Sequence, residues 1–214
     1  MNLILTPLRA EAGIVLTHVR GVRPVSCRRM PRCWLGRGPD GTRVAIGCVG
    51  WGARRAGDGA SALANRFNPE RIVAWGMAGA LSQKLKPGDL VLCHRIVDGN
   101  TGEPLTRPGG VPPTIEFAGP GRCSVARASD LTWPRPVLRR STRCRLAERF
   151  NCELVEMENA ALGRAALDAD AEFLPLRSIL DGVTFPRLPG ARELDFMRSS
   201  LHAGAGAAVQ AAEC

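Results

Sequence analysis

Residues 43–80 read RVAIGCVGWGARRAGDGASALANRFNPERIVAWGMAGA. Their first eight residues are almost uninterrupted apolar chain with β-branched Val44 and Ile46. That is the pattern of a strand covered on both faces, and Gly50-Trp51-Gly52 closes it. Residues 53–67 repeat apolar positions at helical spacing in spite of Gly57 and Gly59, and Asn68-Pro69 stops them. A second apolar run, RIVAWG at 71–76, follows directly and ends in Met77-Ala78-Gly79. Strand, helix and strand in succession define an α/β chain.

The same alternation extends outward. NLILT (2–6) reads as a strand and Arg9 to about Val19 as a helix. The Arg-, Pro- and Cys-rich stretch up to about residue 40 has no clear period and reads as the edge of a β-meander. Beyond the central unit, Pro87-Gly88-Asp89 is a turn and LVLCHRIV (90–97) a strand. Residues 99–121 carry several Gly and Pro and read as a mobile loop. Then come a strand at 123–128, an Arg-rich helix at 136–149, a short strand at 152–155, and a helix from Met157 to about Ala169. A strand at 171–180 ends at Asp181, and an Ala-rich amphipathic helix runs from Arg192 to Ala212. There is no internal repeat and no second core, so residues 1–214 are expected to form a single domain.

Composition excludes several classes. With 45% hydrophobic and 23% charged residues, the 214-residue chain is too apolar for disorder. No apolar stretch approaches the roughly 18–20 residues of a membrane span, and Arg9 and Glu11 interrupt the first run too early for a signal-peptide core. A cytoplasmic protein with no membrane partner is expected. The eight cysteines include no C-x-x-C pair and the three histidines no ligand spacing, so reduced thiols and no metal are expected. Cys48 and Cys93 lie in apolar runs as small core residues. A net charge of +9 raises nucleic acid as a partner. However, only Lys84 and Lys86 are lysines, and the arginines at 20–37 and 135–149 read as solvated faces. Aromatic residues make up 5%, leaving few stacking platforms, which makes a nucleic-acid partner the weaker reading. Gly50-x-Gly52 follows a strand, but the third glycine of a dinucleotide fingerprint would fall on Arg55. No cofactor is expected.

Carboxylates cluster where an open α/β sheet places its ligands, at the ends of strands. Glu11 follows the first strand, Glu156 and Glu158 bracket Met157, and Asp181 ends the strand after Leu180. Each has an ordinary structural role available to it, such as an N-cap, a turn or a first helical turn. Their joint placement around Met77-Ala78-Gly79 points to a site.

The segment W-G-M-A-G-A-L-S-Q-K-L-K-P-G-D-L-V (75–91), the block V-E-M-E-N-A-A-L (155–162) and F-L-P-L-R-S-I-L-D (173–181) resemble, in order and spacing, the signature blocks of the nucleoside phosphorylase superfamily. Its branch of 5′-methylthioadenosine/S-adenosylhomocysteine nucleosidases, futalosine hydrolase and the hopanoid-associated phosphorylase is the most similar. The resemblance covers about residues 2–212. It implies a three-layer α/β/α sandwich around a mixed, partly barrel-like sheet, and a homodimer.

The resemblance also implies roles. Asp181 matches the aspartate that protonates purine N7 on the leaving base. Glu158 matches the carboxylate that binds the ribose hydroxyls. Met157 packs on the sugar with Glu156 beside it, Ala78 and Gly79 let the backbone approach the nucleophile, and Glu11 matches the carboxylate that activates water. Asp130-Leu131-Thr132-Trp133 stands where the family lines its base pocket, so Thr132 and Trp133 are binding candidates, Trp133 by stacking. Two residues depart from the pattern, since the family often has serine at the positions of Met77 and Leu180. The departures imply a bulkier lipophilic 5′ group, a shifted nucleophile or weakened activity. Thr6-Pro7-Leu8-Arg9 resembles the phosphorylase loop whose arginine grips phosphate. The partner positions that would complete a phosphate site are Ala74 and Met77, neither able to hold an anion by its side chain. Hydrolysis of a purine nucleoside, of the 5′-substituted adenosine type, is therefore the expected reaction. Phosphorolysis through Arg9 is the alternative, followed by a non-catalytic or nucleic-acid-binding protein on this fold.

Overall fold

The structure, a computed structural model, describes residues 1–26, 31–105, 125–183 and 191–213, with side chains of 191–198 excepted. Its strands are β1 (Asn2–Thr6), β2 (Arg20–Val25), β3 (Arg32–Arg37), β4 (Arg43–Cys48), β5 (Arg71–Ala80), β6 (Leu90–Asp98), β7 (Val125–Thr132), β8 (Leu154–Glu156) and β9 (Glu172–Asp181). The helices are α1 (Arg9–Leu16), α2 (Ala53–Phe67), α3 (Arg140–Phe150), α4 (Asn159–Asp168) and α5 (Ala191–Ala211). None of the described helices is long and apolar enough to cross a membrane.

All strands belong to one sheet of order β2-β3-β4-β1-β5-β8-β7-β6-β9, and an additional β5–β9 pairing closes the last five into a barrel. Within it β5–β9, β6–β7 and β7–β8 are parallel, while β5–β8 and β6–β9 are antiparallel. The barrel is therefore mixed. β5 is long enough to pair with β1 at its start and to run on through Met77-Ala78-Gly79, where it meets β8. The Arg-rich stretch before residue 40 forms the antiparallel ribbon β2–β3, added to β4 at the edge of the sheet.

The alternation of side chains across β1 divides the core in two. Leu3 and Leu5 pack with Ala56, Ala60 and Leu63 of α2 and with Leu162 and Ala166 of α4. Ile4 faces Val15 of α1 and Ala205, Ala208 and Val209 of α5. Helices thus cover both faces, which explains why the strands of the 43–80 unit are nearly all apolar. Gly47 is required at the first of these contacts, because a Cβ there would run into Leu63 and Leu5.

Several boundaries differ from the sequence reading: α1 ends at Leu16 and not near Val19, β5 runs on to Ala80, β8 starts at Leu154, and three more bear on the site. α3 starts at Arg140, not 136, because Pro134 and Pro136 keep the preceding chain extended. α4 starts at Asn159 because the Glu156 side chain caps its backbone. β7 extends to Thr132, so Asp130 lies within a strand. Residues 106–121 of the expected loop and Cys123 lie outside the described residues, as do Cys27, Arg28, Arg29 and Cys214. Cys93 is buried and Cys48 only half-buried.

Leu63 has no exposed surface and bridges α2 to β1 and β4. Leu63→Ala should lower unfolding stability by about 2–5 kcal/mol in a urea titration, with the m-value unchanged.

Candidate functional site

The carboxyl ends of β1, β4, β5, β8 and β9 surround a cavity of about 240 Å³. Pro7, Leu8, Trp51, Met77, Val137, Leu138, Met157 and Leu180 give it apolar walls. Glu11, Glu156, Glu158, Asp181, Arg135 and Arg143 supply its charges, and Ala78 and Gly79 a stretch of bare backbone.

Glu11 is buried at the first turn of α1. One of its oxygens accepts the Leu8 N–H at 2.9 Å, capping its own helix, and the other accepts the Met77 N–H at 3.1 Å. The carboxylate is therefore fixed between β1 and β5 by backbone donors. Burial outweighs these bonds and the attraction of Arg177, and pushes its pKa up to about 7.

Glu158 accepts the Gly52 N–H at 2.8 Å, where Gly52 takes φ of 87°, a conformation that favours glycine. Burial, reinforced by the neighbouring Glu156 charge, pushes Glu158 to about 7 as well. Glu156 lies deeper. It accepts Thr132 Oγ1 at 2.6 Å, the N–H groups of Glu158 and Asn159 at 2.7 Å each, and Arg177 Nη2 at 3.2 Å. Its oxygens are occupied in holding the β8–α4 turn. Met157, between the two glutamates, has its sulfur 3.0 Å from Trp51 Nε1.

Asp181 sits at the end of β9 with Oδ2 accepting Arg143 Nη2 at 2.7 Å. Arg143 is only 3% exposed. It was missed in sequence because the 135–149 arginines read as a solvated face. A usable signal existed in Arg143, Leu146 and Phe150, which fall at helical spacing and are the buried residues of α3.

Eight of the residues singled out in sequence, Glu11, Met77, Ala78, Gly79, Glu156, Met157, Glu158 and Asp181, thus meet around one cavity. Three do not line it. Thr132 lies behind Glu156, its hydroxyl donating to that carboxylate and accepting the Ala160 N–H at 2.9 Å. Trp133 packs against Phe150 with ring centroids 5.9 Å apart, in the cluster under α3. Arg9 is exposed in the first turn of α1. Among the described residues, the aromatic side chain at the cavity is instead Trp51.

A mixed barrel with carboxylates collected at its strand ends defines the nucleoside phosphorylase-like class. The sequence model of the phosphorylase superfamily matches residues 4–205, and the chain belongs to that superfamily. The 5′-methylthioadenosine/S-adenosylhomocysteine nucleosidase of Mycobacterium tuberculosis is 27% identical over 195 residues, covering 71% of this chain and 76% of that protein. Among solved structures, the corresponding nucleosidase of Campylobacter jejuni superposes with a TM-score of 0.77 at 14% identity, covering 98% of this chain and 96% of that one. The Neisseria meningitidis nucleosidase, in complex with methylthio-immucillin-A, gives 0.73 at 19% identity over 99% and 96%. The futalosine hydrolase of Helicobacter pylori, solved as a mutant, gives 0.71 at 15% identity over 98% and 95%. These structures share the fold.

The raised Glu11 pKa links the site to stability. An unfolded glutamate ionises near 4.5 and the folded one near 7. The folded state therefore holds the extra proton between those values, and stability falls as pH rises through that window. Thermal unfolding from pH 4.5 to 8 should show this loss, and Glu11→Gln should reduce it, the remainder belonging to Glu158, whose pKa is raised to about the same value.

Proposed function

We propose that the protein hydrolyses the N-glycosidic bond of a purine nucleoside, releasing the free base. Glu11 takes a proton from water, whose oxygen attacks C1′. The C1′–N9 electron pair leaves with the base. Asp181 enters the step as the protonated acid and gives that proton to N7, and the proton Glu11 took from water afterwards restores it. Glu158 holds the ribose hydroxyls and offsets the positive charge that develops on the sugar.

The observation that carries this reading is the Glu11 carboxylate. It is fixed by two backbone N–H groups at the cavity wall, and its pKa of about 7 makes it an effective base near neutral pH. The same charge disfavours a phosphate dianion nearby, since like charges about 4 Å apart cost on the order of 4 kcal/mol at an effective dielectric of 20. One observation favours phosphorolysis instead: Arg135 lines the cavity at its exposed edge and has no carboxylate within ion-pair distance among the described residues.

The mouth supports a substrate with an apolar 5′ group. Trp51 is 56% and Leu138 67% exposed, two of the three large apolar side chains exposed among the described residues, and both border this cavity. Met77 and Leu180 extend the same apolar surface inward. A 5′-substituted adenosine with an aliphatic tail fits such a wall better than a plain ribose 5′-hydroxyl.

The test is base release from a panel of 5′-substituted adenosines with and without phosphate. Release without phosphate, yielding a free sugar, is expected; strict phosphate dependence with a sugar 1-phosphate product would replace hydrolysis by phosphorolysis. In a folded protein, Asp181→Asn should cut kcat about 10²- to 10⁴-fold. Glu158→Gln should weaken discrimination against 2′-deoxynucleosides, read as the ratio of kcat/KM values. The pH profile of kcat/KM should fall on the acidic side of about 7, where Glu11 becomes protonated.

A further inference from the structure

We infer that Arg143 is a positioning residue for Asp181, setting which carboxylate oxygen faces the substrate and holding the segments around it in register. The inference rests on the reading of Asp181 as the proton donor to the leaving base.

The three guanidinium nitrogens of Arg143 donate to three separate stretches of cavity wall. Nε donates to Val137 O at 2.8 Å, in the extended segment before α3. Nη1 faces Ala80 O at 3.2 Å at the end of β5, Asp181 O at 3.4 Å at the end of β9, and Gly182 O at 3.1 Å just after it. Nη2 binds Asp181 Oδ2 at 2.7 Å. One planar group thus joins the 137 segment, the end of β5 and the end of β9, and each of these carries residues that line the cavity. A lysine could not do the same, having neither the planar fork nor the number of fixed donors.

The pair also orients the carboxylate. With Oδ2 held by Arg143, Oδ1 lies over Gly79: a Cβ built on Gly79 would stand 2.9 Å from Oδ1 and 2.8 Å from Arg143 Nη2. Gly79 therefore leaves the space in which the pair sits. Its φ is not positive, so its need for glycine is steric rather than conformational. The residue before Asp181 is Leu180, whose side chain offers no hydrogen bond to the carboxylate. Among the described side chains, only Arg143 makes a hydrogen bond or ion pair with Asp181. Arg143 acts through Asp181, and each of its three guanidinium nitrogens donates to a protein oxygen.

The consequence is kinetic coupling between two residues. Without Arg143 the carboxyl group turns, and misplacement of a reacting group by about 1 Å costs on the order of 10² in rate. Arg143→Met should lose about 10²-fold in kcat toward a 5′-alkylthioadenosine while KM changes little. Arg143→Lys, which restores one donor, should recover part of that loss. The deciding measurement is the cycle of Arg143→Met, Asp181→Asn and the double variant, with circular dichroism and thermal unfolding as controls for folding. If Arg143 works through Asp181, the double variant is no slower than Asp181→Asn alone. If the two losses multiply, or if Arg143→Met keeps the wild-type kcat, the inference falls while the acid role of Asp181 stands. If Asp181→Asn itself retains the wild-type rate, both fall. Should Arg143→Met fail to fold, Gly79→Ala displaces the pair without removing a charge. It should lower kcat alone, and a wild-type kcat in that variant would equally overturn the inference.

Discussion

A guanidinium with no path to water has to be neutralised inside the protein, and Arg177 imposes that requirement on everything behind the cavity. It reaches Glu156, Asn159 Oδ1 and the carbonyl of Leu176. Asn159 in turn donates to the buried Asp130 at 2.6 Å. Burial, and then the Glu156 charge, drive the Asp130 pKa well above its ordinary value. Glu156, with Oε2 3.2 Å from Nη2, is the ion-pair partner of Arg177. Removing either member of such a pair strands a buried charge at a cost of about 3–5 kcal/mol. The β8–α4 turn, with Met157 and Glu158 on it, is fixed by that pairing.

The rest of the site is built on this turn in a definite order. Glu156 receives the first backbone N–H groups of α4 and so starts the helix. The helix start places Glu158 where it can accept from Gly52, tying β4 and α2 to the cavity. From the other side, Glu11 ties α1 to β5. The barrel closure β5–β9 then brings Asp181 beside Gly79 with a register shift between Ala78 and Gly79. Strand pairing supplies the framework, and buried carboxylates fix its ends.

Most of the fold was legible in the sequence because its signals are local. The continuous apolar runs at 2–6 and 43–50 announce strands covered on both faces, and Asn68-Pro69 announces the end of α2. The V-E-M-E and R-x-I-x-D blocks bring their residues to the cavity, since each lies at the end of a strand. What stayed illegible depends on contacts distant in sequence. Trp133 next to a site strand looks like a stacking residue, yet Phe150 and Gly99 claim its ring from other elements. Trp51 looks like a loop tryptophan, and only the folded chain brings it to Met157. Arg143 resembles its solvated neighbours in every respect except its place on the buried face of α3. The closure of the barrel by β9 leaves no mark in the composition of either strand.

The three glutamates of the cavity share one further property: most of the bonds that hold them come from main-chain N–H groups, those of Leu8, Met77, Gly52, Glu158 and Asn159. A main-chain donor survives replacement of its own side chain. Met77 can therefore change its thioether for another group without loosening the grip on Glu11, and Leu180, Leu138 and Trp51 hold no carboxylate at all. Selectivity and reactivity are thereby written in different parts of the chain. A lineage carrying this scaffold can exchange the walls of the cavity, and with them the molecules it admits, while the acidic apparatus at the strand ends passes through the change intact.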